Sequence, residues 1–466
     1  MIVTRNFLKS MVILLSAALI CSCSDSGSKT VIRIPVKDEN GICPDEFYSE
    51  VKYFTSKYPD VEVIPTEEKY YQTADIVEKI KSMYDSGDLP MYFFAPLTEM
   101  DNVVNAGCAA DLTAAMKKKG LDKRLNPDWI EYVSRNDKIF AIPIKVYVQG
   151  LYINKKLFRR AGLVNADGSI KYPKTYDEVA EYASIIKEKT GADGFGLAGD
   201  GRYGGWQLMN IAWSYGVKFE EKDFDGNWIA SFNSPEFVET LKYLSDLKWK
   251  YNGVSDNIRM DKLNLLMKYT SNQLGMFIYD PPGDMLSDVF KMPIEDIMAV
   301  SMPRGPAGAY AQMGGSLLFI NNHCNEQEIE ALLDWHNENG SLAPSDNANY
   351  IENFTESIKK DYEDNKIILN RAPISLWLPG KEEEKLMEIR GKYCNADFKD
   401  YENFMAFDDV IIREEEHVEA QNLYKILDEI IIEVFSNPNA DLNALAKNGA
   451  ERFQTEYLNP YNEKNK

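Results

Sequence analysis

Hydrophobic positions near the start of the chain change their spacing at short intervals, which predicts alternating strands and helices. The apolar run Val31–Val36 predicts a first strand. A helical pattern follows to about Lys57, and Val61–Ile64 predicts a second strand. Met91–Ala95 predicts a short buried strand after a turn. This alternation favours βα units and a mostly parallel sheet.

Several later helices are predicted from the residues that cap them. Thr175 precedes Glu178 by three residues, as in a capping box. Asn325 precedes Glu328 in the same way, and Ser234 stands directly before a proline. Near the C-terminus, apolar residues at helical spacing predict one long core helix. They are Leu423, Ile426, Leu427, Ile430, Ile431, Val434 and Phe435.

The first residues have the features of a secretion signal. Arg5 and Lys9 give a positive start, and Met11–Ile20 is uncharged and rich in apolar residues. This run is shorter than the roughly 20 residues of a membrane-spanning helix, so residues 1–22 are predicted to be a removed signal peptide. The stretch that ends in Cys23 resembles a bacterial lipobox, which implies acylation of that thiol and a lipid anchor outside the cytoplasm. The alternative is an ordinary cleaved signal that leaves Cys23 as a free thiol.

Length and charge narrow the class of protein. Residues 23–30 are polar and are predicted to form a flexible tether. A chain of 466 residues is longer than one hydrophobic core usually serves, so two lobes are expected. With 52 basic and 73 acidic residues, the net charge of −21 argues against nucleic acid as a partner.

The cysteines after residue 23 are scattered without C-x-x-C spacing, which argues against a zinc site and against a disulfide-dense scaffold. Four buried free thiols are predicted, with one or two disulfides as the alternative. These cysteines are Cys43, Cys108, Cys324 and Cys394.

The sequence lacks the short motifs of common catalytic sites. Serine-hydrolase, zinc-protease, phosphate-loop and complete calcium-loop patterns are absent. His336 lies at helical spacing from apolar positions and is predicted to be a partly buried, hydrogen-bonded structural residue. The acidic clusters at residues 382–384 and 414–416 are predicted to be solvated helix faces. No enzyme activity, metal or cofactor is predicted, while a glycosidase whose carboxylates come from distant positions stays open.

Six segments, in order along the chain, resemble family 1 extracellular solute-binding proteins, the maltose-binding-protein-like receptors of ABC importers. The segments are Gly87–Pro90, Ala106–Thr113, Ile139–Pro143 with Gly150–Phe158, Pro173–Glu178, Gly275–Ile278, and Met302–Pro306 with Gly314–Ile320. Together they extend over about Val31–Gly340, and the region beyond matches only loosely apart from the last helix.

The resemblance implies an α/β fold of the periplasmic-binding-protein type, with two lobes, a ligand cleft between them and three hinge crossings. The first lobe would comprise residues 31–145 plus about 313–375, and the second residues 147–310 plus about 376–466. Crossings are expected near Lys145–Gln149, near Tyr310–Gly314 and somewhere beyond Leu342.

The function that the resemblance implies is capture of a carbohydrate, most simply an oligosaccharide, for an ABC importer. The partners would be the small-molecule sugar, the permease subunits in the membrane and the lipid bilayer through acylated Cys23, with the receptor itself a monomer. A binding module that reports its ligand to a membrane sensor would have the same fold. A secreted glycosidase is the third hypothesis, and it predicts turnover.

Sugar recognition needs flat aromatic faces for C–H surfaces and polar groups for hydroxyls. The glycine-rich segment Asp200–Gln207 corresponds to one that supplies an aromatic platform in the family, so Tyr203 and Trp206 are the first candidates. The alternative for Trp206 is a ring packed under its own helix. If Trp206 is a platform, Trp206→Ala should abolish ligand binding and leave the melting temperature nearly unchanged.

Other candidate ligand contacts come from four parts of the sequence. They are Tyr279 and Asp280 after a predicted strand, Tyr147 with Gln149 at the first crossing, Trp377 in an isolated apolar stretch, and Lys37, Asp38 and Glu39 after the first strand. The last three stand at the carboxyl end of a strand, where α/β sheets bind ligands, or are solvated loop charges. Pro282 replaces a tryptophan common in the family, and the loop Ala95–Thr98 lacks an aromatic residue found in maltodextrin receptors.

Overall fold

The computed structural model describes residues 29–38, 41–67, 76–280, 283–345, 348–370, 374–406 and 409–464. Its strands are β1 (Thr30–Lys37), β2 (Val61–Glu67), β3 (Tyr92–Pro96), β4 (Ser134–Arg135), β5 (Lys138–Ile139), β6 (Ile142–Val148), β7 (Gly150–Asn154), β8 (Asp193–Gly196), β9 (Glu220–Lys222), β10 (Trp228–Ala230), β11 (Leu274–Tyr279), β12 (Ile297–Val300), β13 (Arg304–Gly305), β14 (Gly308–Ile320) and β15 (Val410–Glu414). Its helices are α1 (Asp45–Lys57), α2 (Ile76–Ser86), α3 (Met100–Asn105), α4 (Thr113–Lys119), α5 (Pro127–Tyr132), α6 (Lys155–Ala161), α7 (Tyr176–Thr190), α8 (Tyr203–Ser214), α9 (Pro235–Ser245), α10 (Lys262–Thr270), α11 (Asp284–Ser287), α12 (Glu326–Glu338), α13 (Ala348–Glu363), α14 (Glu383–Tyr393), α15 (Glu402–Ala406), α16 (Ala420–Ser436), α17 (Leu442–Phe453) and α18 (Asn459–Lys464).

The sheets are mixed, which corrects the expected mostly parallel arrangement. β1 and β2 pair in parallel, as the βα pattern predicts. In the first lobe, however, β3 and β6 both run antiparallel to β14. In the second lobe the order is β12-β7-β11-β8, and β7 runs antiparallel to both of its neighbours. The reversals arise because β7 and β14 enter their sheets from the neighbouring lobe rather than through a local helix.

Two large clusters of buried apolar side chains give the lobes separate cores. The first is built from β1 to β6, the far end of β14 and the helices around them. The second is built from β7, β8, β11, β12 and helices including α7, α8 and α16. Met313, in the middle of β14, packs against both clusters. The cores therefore meet where the chain passes between the lobes.

The strand β14 is one of these passages, and it lies where a crossing was expected. Its first half pairs with β13 and β15, and its second half pairs with β6 and β3. The chain also passes between lobes from β6 to β7, where the backbone N–H of Gln149 donates to the carbonyl of Gln312 at 2.9 Å. The two passages are thus hydrogen-bonded side by side.

Beyond residue 342 the chain alternates between the cores more often than expected. Ile367, Leu369 and Ile374 pack in the second core, whereas Leu376 and Trp377 pack in the first. Tyr401 and the residues after it belong to the second core again. A boundary near residue 375 therefore does not separate the two lobes.

The capped helix starts are confirmed. Thr175 and Asn325 form complete capping boxes at the starts of α7 and α12. Ser234 accepts the backbone N–H of Phe237 at the start of α9, with a proline at the first helical position. The apolar stripe predicted near the C-terminus is the buried face of α16.

The prediction of free thiols is confirmed, although Cys324 and Cys394 are only partly buried, and His336 is buried more completely than predicted. All four cysteines among the described residues are free thiols. His336 is 5% exposed and its ring meets that of Tyr92 edge to face, with 4.5 Å between centroids. Burial lowers the pKa of His336 to about 4. It is therefore a neutral core residue at physiological pH.

Neither acidic cluster is simply a solvated helix face. Glu382 precedes α14, is 5% exposed, and accepts a hydrogen bond from Arg124 at 2.6 Å. The ion pair fixes this segment against the first lobe, because an isolated carboxylate would be costly to bury. Residues 414–416 end β15 and enter the following loop rather than a helix.

Glu416 and Glu220 form a buried acidic pair that holds this loop against the second lobe. Glu416 accepts the indole N–H of Trp213 at 3.1 Å and pairs with Arg413 at 3.2 Å. Glu220 accepts the backbone N–H of Val418 at 3.0 Å. Its second carboxyl oxygen is buried without a hydrogen-bond partner within the described part of the chain. Burial and the nearby Glu416 raise the pKa of Glu220 to about 8.

The raised pKa of Glu220 predicts a pH-dependent stability. The folded protein holds this proton more tightly than the unfolded chain, so the stabilisation is complete below about pH 4.5 and is lost as pH rises through about 8. Glu220→Gln keeps an acceptor for Val418 and removes the buried charge. We expect the variant to match the wild type at pH 5 and to be on the order of 2 kcal/mol more stable at pH 9.

Urea unfolding at the two pH values measures this difference. Glu221→Gln is the matched control, because Glu221 is the next residue of β9 and its side chain is 47% exposed. The control should change the free energy of unfolding by less than about 0.5 kcal/mol at either pH. An equal effect of Glu220→Gln at pH 5 and pH 9 would contradict the assignment of a buried, titrating carboxyl.

Candidate functional site

The N-terminus of α8 is fixed to α16 by a buried carboxylate. The chain turns into α8 through Gly201 and Arg202, both with positive φ. Asp428 on α16 then accepts the backbone N–H groups of Arg202 and Gly205, each at 2.6 Å. Burial raises the pKa of Asp428 to about 6, although these hydrogen bonds favour its ionised form. A carboxylate at this position also suits the positive end of the helix dipole.

Two glycines at the start of α8 allow this close contact. A Cβ on Gly204 would lie 2.0 Å from the carbonyl oxygen of Ala198, and one on Gly205 would lie 2.4 Å from that of Tyr424. No side chain fits in either space. The glycine-rich sequence therefore docks α8 tightly on its neighbours and fixes the positions of Tyr203 and Trp206.

Tyr203 and Trp206 form the centre of an aromatic cluster. Their rings stack with 4.9 Å between centroids and 23° between planes. Tyr147, on β6, meets Trp206 edge to face at 6.2 Å. Burial is the main reason that the pKa values of Tyr147 and Tyr203 are raised. The charge of Tyr279, at the end of β11, raises both further, so this residue lies nearby. We call Tyr147, Tyr203, Trp206 and Tyr279 the aromatic cluster.

The aromatic cluster is more enclosed than an open platform would be. Tyr203 is 9% exposed and Trp206 is 8% exposed. The hydroxyl of Tyr203 is buried and makes no hydrogen bond to any described residue. A buried hydroxyl without a partner is costly, so a polar partner that reached it would stabilise it.

Glu415 is a residue of the site that the sequence analysis missed. One of its carboxyl oxygens accepts the indole N–H of Trp206 at 3.2 Å. Burial, with a smaller effect from the charge of Glu99, raises the pKa of Glu415 to about 7. Hydrogen bonds from Trp206, Tyr424 and Gln312 act in the opposite direction. Because Glu99 belongs to the first lobe, Glu415 faces both sides of the junction. The β-branched run Val410–Ile412 was the available signal, since it predicts a strand that would direct the following carboxylates inward.

Asp280 adds a second carboxyl beside the aromatic cluster. It follows Tyr279 directly. Burial raises the pKa of Asp280, and the charges of Lys262 and Lys145 oppose that rise. Asp280 also contributes to the raised pKa values of Tyr147 and Tyr203. The carboxyl thus lies among two tyrosines and two lysines.

Buried amides connect the site to the two passages between the lobes. The side chain of Gln207 accepts a hydrogen bond from the backbone N–H of Ala198 at 2.9 Å and donates one to the carbonyl of Ile278 at 2.8 Å. Asn210 donates to the side chain of Gln149 and accepts the backbone N–H of Gln312 at 2.8 Å. The side chain of Gln312 donates to the hydroxyl of Tyr424 at 2.8 Å. The helix that carries the aromatic residues is therefore tied to both crossing segments.

The remaining candidates lie elsewhere or outside the described residues. Trp377 is 8% exposed in the core of the first lobe, and its backbone forms an isolated bridge with Leu125. Asp38 caps a turn by accepting the backbone N–H of Ile42 at 2.8 Å. Glu39 and Cys23 fall outside the described residues. The structure thus brings together Tyr147, Tyr203, Trp206, Tyr279 and Asp280, but not Trp377 or Asp38.

Two other features are absent from the described ranges. No helix there is both long and apolar enough to cross a bilayer. The same residues hold no group of three or more His, Cys, Asp and Glu side chains placed to bind a metal ion.

Comparison with known proteins agrees with this architecture. A family model described as bacterial extracellular solute-binding protein matches residues 44–341. A binding protein of Brucella abortus is 24% identical over 362 residues, which cover 75% of this chain and 81% of the relative.

Solved structures share the fold over nearly the whole chain. An ABC transporter solute-binding protein of Thermotoga lettingae, bound with α-D-tagatose, gives a TM-score of 0.65 at 18% identity, covering 91% of this chain and 98% of that one. Maltose-bound MalE3 of T. maritima gives 0.63 at 18% identity, with 91% and 99% covered. These likenesses confirm the expected two-lobed α/β fold. With its family model spanning more than half of the sequence, the chain belongs to the bacterial extracellular solute-binding proteins.

Proposed function

We propose that this protein captures a carbohydrate between its lobes outside the cytoplasm and delivers it to an ABC importer. The observation that carries the proposal is the aromatic cluster bordered by Glu415 and Asp280 at the junction of the lobes. The proteins of T. lettingae and T. maritima, which share the fold, hold α-D-tagatose and maltose.

The chemistry of the cluster suits a sugar. Aromatic rings contact the C–H faces of a pyranose, and carboxyl oxygens accept hydrogen bonds from its hydroxyls. The buried hydroxyl of Tyr203 has no partner among the described residues and can bond a ligand hydroxyl. Because Glu415 has a pKa of about 7, it can also donate when it is protonated. The site thus offers apolar surface, acceptors and donors within one cluster.

The connections between lobes suit a receptor that changes shape on binding. Tyr147 lies on a strand that enters the second lobe, and Trp206 lies on a helix tied to Gln149 and Gln312 through Asn210. A ligand that contacts both lobes favours the closed form by the difference in its affinity for the two forms. A permease can then distinguish the loaded receptor from the empty one. This cycle needs no covalent step, so we propose a monomeric binding protein and not an enzyme.

The ligand is best identified by a thermal-shift screen of monosaccharides and oligosaccharides. A sugar present at about 100 times its Kd stabilises the protein by about 2.7 kcal/mol. We expect at least one neutral oligosaccharide to raise the melting temperature. The absence of a shift with every sugar would overturn the carbohydrate proposal, and cleaved products in the same mixtures would replace it with a glycosidase.

The role of Trp206 is tested with Trp206→Phe rather than with alanine. Trp206 is 8% exposed, so we now expect Trp206→Ala to cost about 3–5 kcal/mol of stability and to lower the melting temperature. Trp206→Phe keeps a ring and removes the N–H that bonds Glu415. We expect it to weaken binding of the identified sugar about tenfold in isothermal titration calorimetry, since the smaller ring offers less face to the sugar and Glu415 loses the N–H that orients its carboxyl.

Trp213→Phe is the matched control for this variant. Trp213 lies on the same helix and donates its indole N–H to Glu416 at 3.1 Å, but its ring is outside the aromatic cluster. We expect the control to bind the sugar with wild-type affinity. Equal losses in the two variants would mean that the helix, and not the indole of Trp206, determines binding.

The proposed anchor is tested by Cys23→Ala. Acylation of Cys23 would hold the receptor at the membrane, because each buried methylene contributes about 0.8 kcal/mol. We expect the wild type to enter the detergent phase of a Triton X-114 partition and the variant to stay in the aqueous phase with unchanged sugar affinity. Partition of the variant into detergent would exclude Cys23 as the attachment site.

A further inference from the structure

A lysine lies over two rings of the aromatic cluster. The ammonium nitrogen of Lys262 is 5.4 Å from the ring centroid of Tyr203 and 5.0 Å from that of Tyr279. The lysine side chain is exposed, whereas both tyrosines are buried. Lys262 therefore lies between the two rings and the solvent.

Each of these two tyrosine rings also stacks on another aromatic ring of the protein. Tyr203 stacks on Trp206, and Tyr279 stacks on Phe277 with 5.4 Å between centroids and 26° between planes. A sugar that is to contact either tyrosine face must therefore use space beside the ammonium of Lys262. Asp280 stabilises the lysine in this position, since the two charges interact.

The backbone of Lys262 is held firmly, so that only its side chain can move far. Met260 is 2% exposed, and its carbonyl accepts the backbone N–H of Gly199 at 3.0 Å. A Cβ on Gly199 would lie 2.1 Å from the carbonyl oxygen of Ile258, so the loop rests directly on that glycine. Asp261 caps α10 by accepting the backbone N–H of Asn264 at 2.8 Å. Four flexible methylenes then connect a fixed backbone to the ammonium.

The position of this lysine contradicts the usual preference of helices. Lys262 is the first residue of α10. A cation there opposes the helix dipole, whose positive end lies at the N-terminus. Residues that break such a local rule are expected at functional sites, where another interaction compensates for the cost. The gain in this case is the cation–π contact with Tyr203 and Tyr279.

We propose that Lys262 is a gatekeeper of the aromatic cluster, one that a neutral carbohydrate must displace before it can contact Tyr203 and Tyr279. The ligand in this inference rests on the proposed function. The covering of the rings by Lys262 does not depend on that function. A ligand gains contact with the rings and loses the contacts of the lysine, so the lysine lowers affinity for every neutral sugar. Only sugars that compensate through further contacts are then retained.

Removal of the side chain tests the gate directly. In Lys262→Ala, the rings stay in place and no ammonium has to leave. An exposed cation–π contact is worth about a twofold to fivefold factor in an equilibrium constant, and Lys262 makes two. We expect the variant to bind the best neutral sugar about fivefold to tenfold more tightly, measured by isothermal titration calorimetry. Lys262→Arg keeps a cation over the rings and should bind as the wild type does.

Lys250→Ala is the matched control. Lys250 is an exposed lysine of the same lobe, and its ammonium lies 4.8 Å from the ring centroid of Tyr251, outside the site. The control should leave sugar affinity unchanged. Unchanged or weaker binding by Lys262→Ala would overturn the gate. Weaker binding would mean that the lysine itself contacts the ligand.

Hydroxyl-radical footprinting without ligand tests the covering of the rings on its own. We expect Lys262→Ala to increase oxidation of Tyr203 and Tyr279, read by mass spectrometry of their peptides. Lys250→Ala should increase oxidation of Tyr251 alone. If Lys262→Ala leaves Tyr203 and Tyr279 unchanged, the lysine does not cover them and the gate is wrong. A wild-type protein that binds no carbohydrate would refute the proposed function, while footprinting would still decide the role of Lys262.

Discussion

The continuous strand β14 connects the lobes and constrains most of the structure. Its backbone pairs with β13 and β15 at one end and with β6 and β3 at the other. Hydrogen bonds between strands fix register, so a shift of one lobe along β14 would require several to break at once. Rotation about the passages is easier, because Met313 and the buried amides of Gln149 and Gln312 are the main groups shared there. The strand thus permits hinge motion and resists sliding.

The same junction explains why several carboxyl groups in this region have raised pKa values. Glu415, Glu416 and Asp428 all lie near α8, which is buried between α16 and the passages between the lobes. Each carboxyl accepts hydrogen bonds from backbone or indole N–H groups, which partly offsets the cost of desolvation. A helix with two tryptophans and two glycines can dock so deeply only if its polar groups are met in this way. Packing and electrostatics are therefore coupled at the candidate site.

Local chemistry could be predicted from the sequence, because it depends on residues a few positions apart. The capping boxes of α7 and α12 and the apolar face of α16 are examples. Tyr203, Trp206 and Tyr279 were found through a resemblance, and the structure brings them together. Glu415 was missed despite the strand-like run before it, because its partners Trp206 and Glu99 are distant in sequence and its own cluster suggested a solvated helix. Trp377 was chosen for its residue type alone, and long-range packing places it in the first core.

The interleaving of the chain has a consequence for biogenesis. The first core needs the end of β14 and Trp377, and the second core needs α16, which starts at Ala420. The first core can close only once Trp377 has left the ribosome, and the second only once α16 has followed. Contacts between such distant segments form slowly, because the intervening loop must first be ordered. A chain interleaved in this way completes its second core, and with it the packing of α8 that fixes the aromatic cluster, only after its last long helices are available.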